Sequence, residues 1–140
     1  MNTIIAVKGV ANRGKSASIK KVCELLKIAY PRADIQQMFI GIDITIIITI
    51  EGRKVGIESQ GDPNSRLFDS LDRFVKVGCT VIICATRTYG RTVEAVNAQS
   101  GQYSIKWLDK QNEPAVHLQN AANDAVATKI LHAVQSALAA

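Results

Sequence analysis

The chain of 140 residues has few cysteines, no block of basic residues and no apolar run long enough to span a membrane. Its cysteines, Cys23, Cys79 and Cys84, are odd in number and lack metal-ligand spacing, so we expect buried free thiols in a reducing compartment. The very apolar stretch 38–50 is too short to cross a bilayer and contains Asp43. No basic segment followed by a signal-length apolar run stands near the start. These absences predict a soluble, cytoplasmic protein that does not bind a membrane.

The charge balance is basic, with a formal net charge of +5 and a pI near 9.3. A positive surface suits a polyanionic ligand. It also suits nucleic acid, but the basic residues do not gather in a block, and nothing else in the sequence supports a nucleic-acid partner. The sequence contains no repeat, low-complexity tract or linker. We therefore expect a single domain over 1–140, which is long enough to bury its own core.

One segment, residues 9–16, has a recognisable chemistry, because its sequence GVANRGKS matches the pattern G-x-x-x-x-G-K-[ST]. It follows the apolar run 4–7 and opens a helical pattern near Lys15, which is the strand–loop–helix setting that the pattern requires. Glycines let the main chain approach phosphate oxygens, and successive N–H groups at a helix start form an anion-binding nest. The predicted phosphate-binding residues are Gly9, Asn12, Arg13, Gly14, Lys15, Ser16 and Ala17.

This segment and its setting resemble the phosphate loop of the P-loop NTPases. The resemblance implies a three-layer α/β/α sandwich that binds ATP or another nucleoside triphosphate together with Mg²⁺. It implies that Lys15 contacts the β- and γ-phosphates and that Ser16 binds the metal ion. The hairpin that ends at Glu58 looks like the second and third strands of the small GTPases. Their guanine-reading motif Asn-Lys-x-Asp is absent, since 86–89 read Thr-Arg-Thr-Tyr, and ATP is therefore the favoured ligand.

Hydrophobic periodicity predicts the elements in the order β-α-β-β-α-β-α-β-α. A polar connection is expected over 32–37, and a long helix from Pro114 onward. The two runs on either side of Gly52-Arg53 should form an antiparallel hairpin. The expected fold is one P-loop NTPase-like sandwich of about five strands, mostly parallel with one antiparallel strand. The predicted strands are 3–7, 42–51, 54–58, 79–85 and 103–107.

Acidic residues of the site should lie where parallel strands end, because ligands of such sheets bind beyond the carboxyl ends of the strands. Glu58 ends a short apolar run and is the best-placed acid for Mg²⁺ and for catalysis. Asp62 is its rival for the metal ion, although the pair Asp62-Pro63 is also typical of a helix start. The predicted metal ligands are therefore Ser16, Glu58 and Asp62.

The loop 86–91 follows a central apolar run and should reach the same edge of the sheet. Arg87 could clamp a phosphate or stabilise charge in the transition state, and Arg91 could do the same. Tyr89 offers a surface on which a base could stack. All three side chains could equally be solvated loop residues. The predicted catalytic residues are Lys15 of the phosphate-binding segment, Glu58 at the end of its strand, and Arg87.

Three classes of function fit these residues. The first is a Mg²⁺-dependent nucleoside triphosphatase. The second is a small-molecule or nucleotide kinase, for which only the short segments 32–40 and 86–91 remain to bind an acceptor. The third is a nucleotide-sensing switch or assembly subunit with little or no hydrolysis, in which the isoleucine-rich strand near an edge could join two sheets in a homo-oligomer. Phosphate release from several nucleoside triphosphates would separate the three.

Overall fold

A single sheet organises the chain in the computed structural model, which describes residues 2–9, 14–39, 41–110 and 113–139. Six strands and four helices lie within these ranges. In chain order they are β1 Asn2–Lys8, α1 Lys15–Ala29, β2 Asp34–Phe39, β3 Thr45–Ile50, β4 Arg53–Glu58, α2 Leu67–Lys76, β5 Val81–Thr86, α3 Arg91–Asn97, β6 Tyr103–Asp109 and α4 Val116–Ala139.

The sheet has the strand order β2-β3-β4-β5-β1-β6. β3 runs antiparallel to both of its neighbours, and every other neighbouring pair is parallel. The expected α/β class and the predicted hairpin are therefore confirmed, with Glu51 and Gly52 in the turn between β3 and β4. The carboxyl ends of β1, β4, β5 and β6 therefore lie at one edge of the sheet, and the amino end of the antiparallel strand β3 lies at the same edge.

The strand count differs from the prediction, because β2 lies largely in the segment expected to be a polar connection. β2 is an edge strand that pairs only with β3, so one of its sides is open to solvent. Asp34, Gln36 and Gln37 are exposed, whereas Ile35 packs against the core. A strand at an edge needs few apolar residues, and its sequence does not show the alternation that identifies strands further inside a sheet.

Helices cover both faces of the sheet, so the fold has three layers. α1 and α4 pack on one face, where they share a core with residues from four strands: Ile5, Val7, Ile48, Val55, Ile57 and Ile83. α2 and α3 cover the other face with Leu67, Leu71, Phe74 and Val96, against Ile4, Ile47 and Ile82. Since most strands are buried on both faces, they form nearly continuous apolar runs in the sequence.

Two helix boundaries differ from the prediction. α2 begins at Leu67, several residues after the predicted start at Pro63, and turns occupy 62–66. Part of the reason is that the side-chain oxygen of Gln60 accepts the backbone N–H of Arg66, at 2.9 Å, and this contact stabilises the turn just before the helix. α4 begins at Val116, two residues after Pro114. Within the described ranges, no helix has both the length and the hydropathy required to cross a bilayer.

Candidate functional site

The described part of the predicted phosphate loop consists of its two ends, Gly9 and 14–16, whereas Asn12 and Arg13 lie outside the described residues. Both ends need glycine. A Cβ on Gly9 would lie 2.8 Å from the carbonyl oxygen of Lys110, and a Cβ on Gly14 would collide with the side chain of Asn123. Gly14 also has a φ of 84°, which favours glycine, and α1 begins at the next residue. The loop therefore connects β1 to the first turn of α1, where Ala17 is exposed.

Lys15 is buried at the base of this loop, with a relative exposure of 7%. Its ammonium donates to the carbonyl oxygen of Gly9 and to that of Thr86, each at 2.6 Å. The side chain thus bridges the carboxyl ends of β1 and β5. Burial, followed by the nearby charge of Arg87, lowers the pKa of Lys15 to about 8, and the charge of Asp62 opposes this shift.

Asp43 is the acid that contacts the predicted metal ligand Ser16. The hydroxyl of Ser16 donates to Asp43 Oδ1 at 2.7 Å, and the hydroxyl of Ser59 donates to the same oxygen at 2.8 Å. Ser59 is in turn held by the backbone N–H of Ile44, which donates to its hydroxyl at 2.9 Å. Three oxygen-bearing side chains from α1, the start of β3 and the end of β4 therefore converge at one place.

Asp43 lies within the predicted strand 42–51 and is not among the predicted site residues; in the structure it precedes β3. A topological signal could have identified it: β3 is the antiparallel strand, so the residues just before β3 lie at the edge where the parallel strands end. A second contact holds this segment against α1, because the ammonium of Lys20 donates to the carbonyl oxygens of Gly41 and Ile42 at 3.2 and 2.9 Å.

Glu58 is fully buried and its carboxylate is occupied by neighbouring groups. Oε1 accepts from the hydroxyls of Thr45 and Ser70, both at 2.6 Å, and lies 3.6 Å from Nε of Arg66. Oε2 accepts the backbone N–H of Gln60 at 3.0 Å. These contacts join β3 and α2 to the end of β4.

The direction of the Glu58 side chain agrees with these contacts. Successive side chains of a strand alternate between the two faces, so Glu58 shares a face with Gly56, which packs directly against Phe74 of α2. α1, which carries Ser16, lies on the other face of the sheet. Glu58 therefore contacts α2, on the face opposite to α1 and Ser16. Its predicted metal role stays a prediction.

Asp62 and Arg87 form an ion pair at the mouth of the site. Nε and Nη2 of Arg87 both lie 3.1 Å from Asp62 Oδ1, and the Asp62 side chain is 64% exposed. Gly61 keeps their two loops together, since a Cβ there would come within 2.7 Å of Ala85 at the end of β5. The charges of Arg87 and Asp62 both affect the pKa of Lys15, so the pair lies near the lysine. The predicted roles of Arg87 in catalysis and of Asp62 in metal binding stay predictions.

The cysteines take no part in this site. Cys23, Cys79 and Cys84 are buried and unpaired, as expected. Burial raises the pKa of Cys79 to about 11 and that of Cys84 to about 12, so these thiols stay protonated and unreactive near neutral pH. In the described part of the chain, no group of three or more His, Cys, Asp or Glu residues is arranged to hold a metal ion.

Comparison with known proteins gives no relative on which to base an assignment: no family model, no curated protein and no solved structure matches this chain. The chemistry of the site must therefore be argued from its own residues. These are a desolvated ammonium at a glycine loop, a hydroxyl–carboxylate cluster beside it, and a guanidinium–carboxylate pair at its mouth.

Proposed function

We propose that this chain is a P-loop protein that binds a nucleoside triphosphate, with ATP favoured, and hydrolyses it with the help of Mg²⁺. The observation that supports this most is the position of Lys15, whose buried ammonium is held by main-chain carbonyls beside the glycine loop. A cation that is already desolvated gains strongly from an anion that replaces those carbonyls. Backbone amides of the loop and the start of α1 would bind the same phosphates.

The residues around Ser16 suit Mg²⁺, which prefers hard oxygen ligands. Ser16 and Asp43 would hold the ion, directly or through water, and Ser59 would orient the Asp43 carboxylate. When bound, the metal neutralises charge on the phosphate oxygens. We favour Asp43 over Glu58 and Asp62 for this role, because it alone of the three contacts Ser16 among the described residues.

Arg87 is proposed to stabilise the charge that develops on the transferred phosphoryl group. It follows Thr86, whose carbonyl oxygen accepts from Lys15, so its guanidinium lies close to where the end of the triphosphate would be. The pair with Asp62 fixes the guanidinium without burying it. A guanidinium that is held in place before the reaction stabilises the transition state more than one that must first be ordered.

A phosphate-release assay with ATP, GTP, CTP and UTP tests this proposal. The expected result is Mg²⁺-dependent turnover that is highest with ATP. Tight binding without turnover would instead indicate a switch or assembly subunit. Turnover that requires an added acceptor would indicate a kinase, the second candidate, which is favoured by a cleft that Arg87, Tyr89 and Arg91 line.

Substitution of Asp43 by Asn is expected to raise the Mg²⁺ concentration needed for half-maximal nucleotide binding by about 10- to 100-fold, the usual effect of losing a carboxylate at or next to a metal ion. Titration of Mg²⁺ at fixed nucleotide concentration measures this shift. Asp72→Asn is the matched control, since Asp72 pairs with Lys76 on the surface of α2. An unchanged Mg²⁺ requirement in Asp43→Asn would remove Asp43 from the metal site.

Triphosphate affinity is expected to fall as the pH rises above about 8, where free Lys15 loses its proton. The bound phosphates raise the pKa of Lys15, so the complex holds more protons than the free protein, and binding takes up nearly one proton. Calorimetry at pH 9 in buffers of different ionisation enthalpy measures this uptake. Lys15→Arg, which stays charged, should show no uptake at that pH. Equal uptake in both proteins would contradict the assignment.

A further inference from the structure

A cleft of about 320 Å³ opens beside the proposed phosphate site, at the carboxyl end of β5. It reaches the loop before α2 on one side and the start of α3 on the other. Arg87 of its lining follows Thr86, whose carbonyl oxygen accepts from Lys15, and the charge of Arg87 affects the pKa of Lys15. The lining residues are Pro63, Arg87, Thr88, Tyr89, Gly90 and Arg91.

The lining is cationic and aromatic. Arg87 and Arg91 bring two guanidinium groups, and the six lining residues include no carboxylate. Contacts outside the cleft position both groups: Arg87 pairs with Asp62, and the guanidinium of Arg91 lies 5.2 Å from the centre of the Phe68 ring. Guanidinium groups held in this way are suited to bind a phosphate group.

Tyr89 adds a surface for a flat ring. Its side chain is 84% exposed, which is a high value for an aromatic residue, and it lines the same cleft as the two arginines. An aromatic ring open to solvent stacks readily on a nucleobase. The volume of the cleft lies at the lower end of the range of small-molecule sites, about 300–1,000 Å³, which suits a mononucleotide.

We propose that this cleft binds a nucleoside monophosphate, with its phosphate on Arg91 and Arg87 and its base against Tyr89, as the acceptor of the phosphoryl group. The proposal rests on the proposed triphosphate site and develops the second candidate function, the kinase: when the cleft is occupied, the monophosphate takes the place of water as the acceptor. A deprotonated phosphate oxygen of the monophosphate attacks the γ-phosphorus, and the bond from that phosphorus to the bridging oxygen breaks. The electron pair leaves with the nucleoside diphosphate, and the products are two diphosphates, so no proton needs to be moved.

The two ligands should depend on different residues. Lys15 and the glycine loop contact only the triphosphate, whereas Tyr89 and Arg91 contact only the monophosphate. Arg87 lies between the two sites and would serve both. Substitutions of Tyr89 and Arg91 therefore separate this inference from the proposed function.

The test is calorimetric titration of AMP, GMP, CMP and UMP into the protein saturated with Mg²⁺ and the β,γ-imido analogue of ATP. At least one monophosphate is expected to bind, and Arg91→Ala should lower the affinity for that monophosphate at least tenfold. Tyr89→Ala should lower this affinity by a similar factor. Tyr89→Phe should lower it much less, because phenylalanine retains the ring. Arg73→Ala, an exposed arginine at the end of α2, is the matched control.

Affinity for the ATP analogue should be the same in all of these variants. If the analogue binds but none of the four monophosphates does, the inference is overturned and the triphosphate site stands. If a monophosphate binds equally well to Arg91→Ala and Tyr89→Ala, it binds elsewhere and the inference is also overturned. If the analogue itself does not bind, the proposed function fails. Since Tyr89 is so exposed, Tyr89→Ala should fold normally even if Arg91→Ala does not.

Discussion

Substitution of Lys15 by Ala is expected to weaken triphosphate binding by about 100- to 10,000-fold. The ammonium would make two or more charge-assisted hydrogen bonds to phosphate oxygens, each contributing about 1.5–3 kcal/mol, and roughly 1.4 kcal/mol corresponds to a factor of ten. The pre-positioned and desolvated state of Lys15 makes this interaction strong, because little further desolvation is needed when the ligand binds. Calorimetry with the ATP analogue and Mg²⁺ measures the loss.

The fold should survive this substitution. Alanine at position 15 leaves the core on either side of the sheet unchanged and removes a buried charge whose burial is unfavourable. Lys21→Ala is the matched control, since Lys21 is a partly exposed lysine of the same helix whose ammonium lies 3.9 Å from the carboxylate of Glu24. Equal affinities of wild type and Lys15→Ala for the analogue would refute the proposed role of the lysine.

Substitution of Glu58 by Ala is expected to lower the free energy of unfolding by about 3–5 kcal/mol, the usual effect of removing one partner from a buried charged network. Thr45 and Ser70 lose the acceptor of their hydroxyl groups, and Arg66 loses a carboxylate neighbour. The backbone N–H of Gln60 loses its acceptor as well. Urea denaturation followed by circular dichroism measures the change, with Glu24→Ala, an exposed glutamate, as the control.

The same position distinguishes a structural carboxylate from a metal ligand. Glu58→Gln keeps the volume and one acceptor oxygen, so the protein should fold with a smaller loss of stability. If Glu58 is structural, this variant needs no more Mg²⁺ for nucleotide binding than the wild type does. If Glu58 holds the metal ion, as the sequence suggested, the Mg²⁺ requirement rises while Asp43→Asn leaves it unchanged.

The sequence predicted those features that are encoded locally. Residues 9–16 are contiguous, and the strand and the helix on either side of them have strong periodicity, so the position of Lys15 at a strand-to-helix junction could be read directly. The hairpin and the central strand were equally clear, because one has a tight turn between apolar runs and the other is apolar throughout. Prediction failed at β2, where the edge position of the strand removes the need for an apolar pattern.

The site was harder to predict than the fold, because it depends on topology. Asp43 approaches Ser16 only because β3 runs against the other strands, and the residue stands 27 positions further along the chain. The sequence favours Glu58 as a metal ligand because it ends a strand, whereas its contacts with Thr45 and Ser70 depend on which helix covers that face of the sheet. The direction of β3 follows from the predicted hairpin, whereas the helix that covers Glu58 cannot be known without the sheet order.

The central claim is that Lys15 and Ser16 exchange their present partners for a triphosphate and its metal ion. A crystal structure of the protein with Mg²⁺ and the β,γ-imido analogue of ATP tests it most directly. The account predicts that Lys15 Nζ leaves the carbonyl oxygens of Gly9 and Thr86 for phosphate oxygens, and that the ion lies between Ser16 and Asp43. A nucleotide bound elsewhere, with Lys15 still on those two carbonyls, would contradict it.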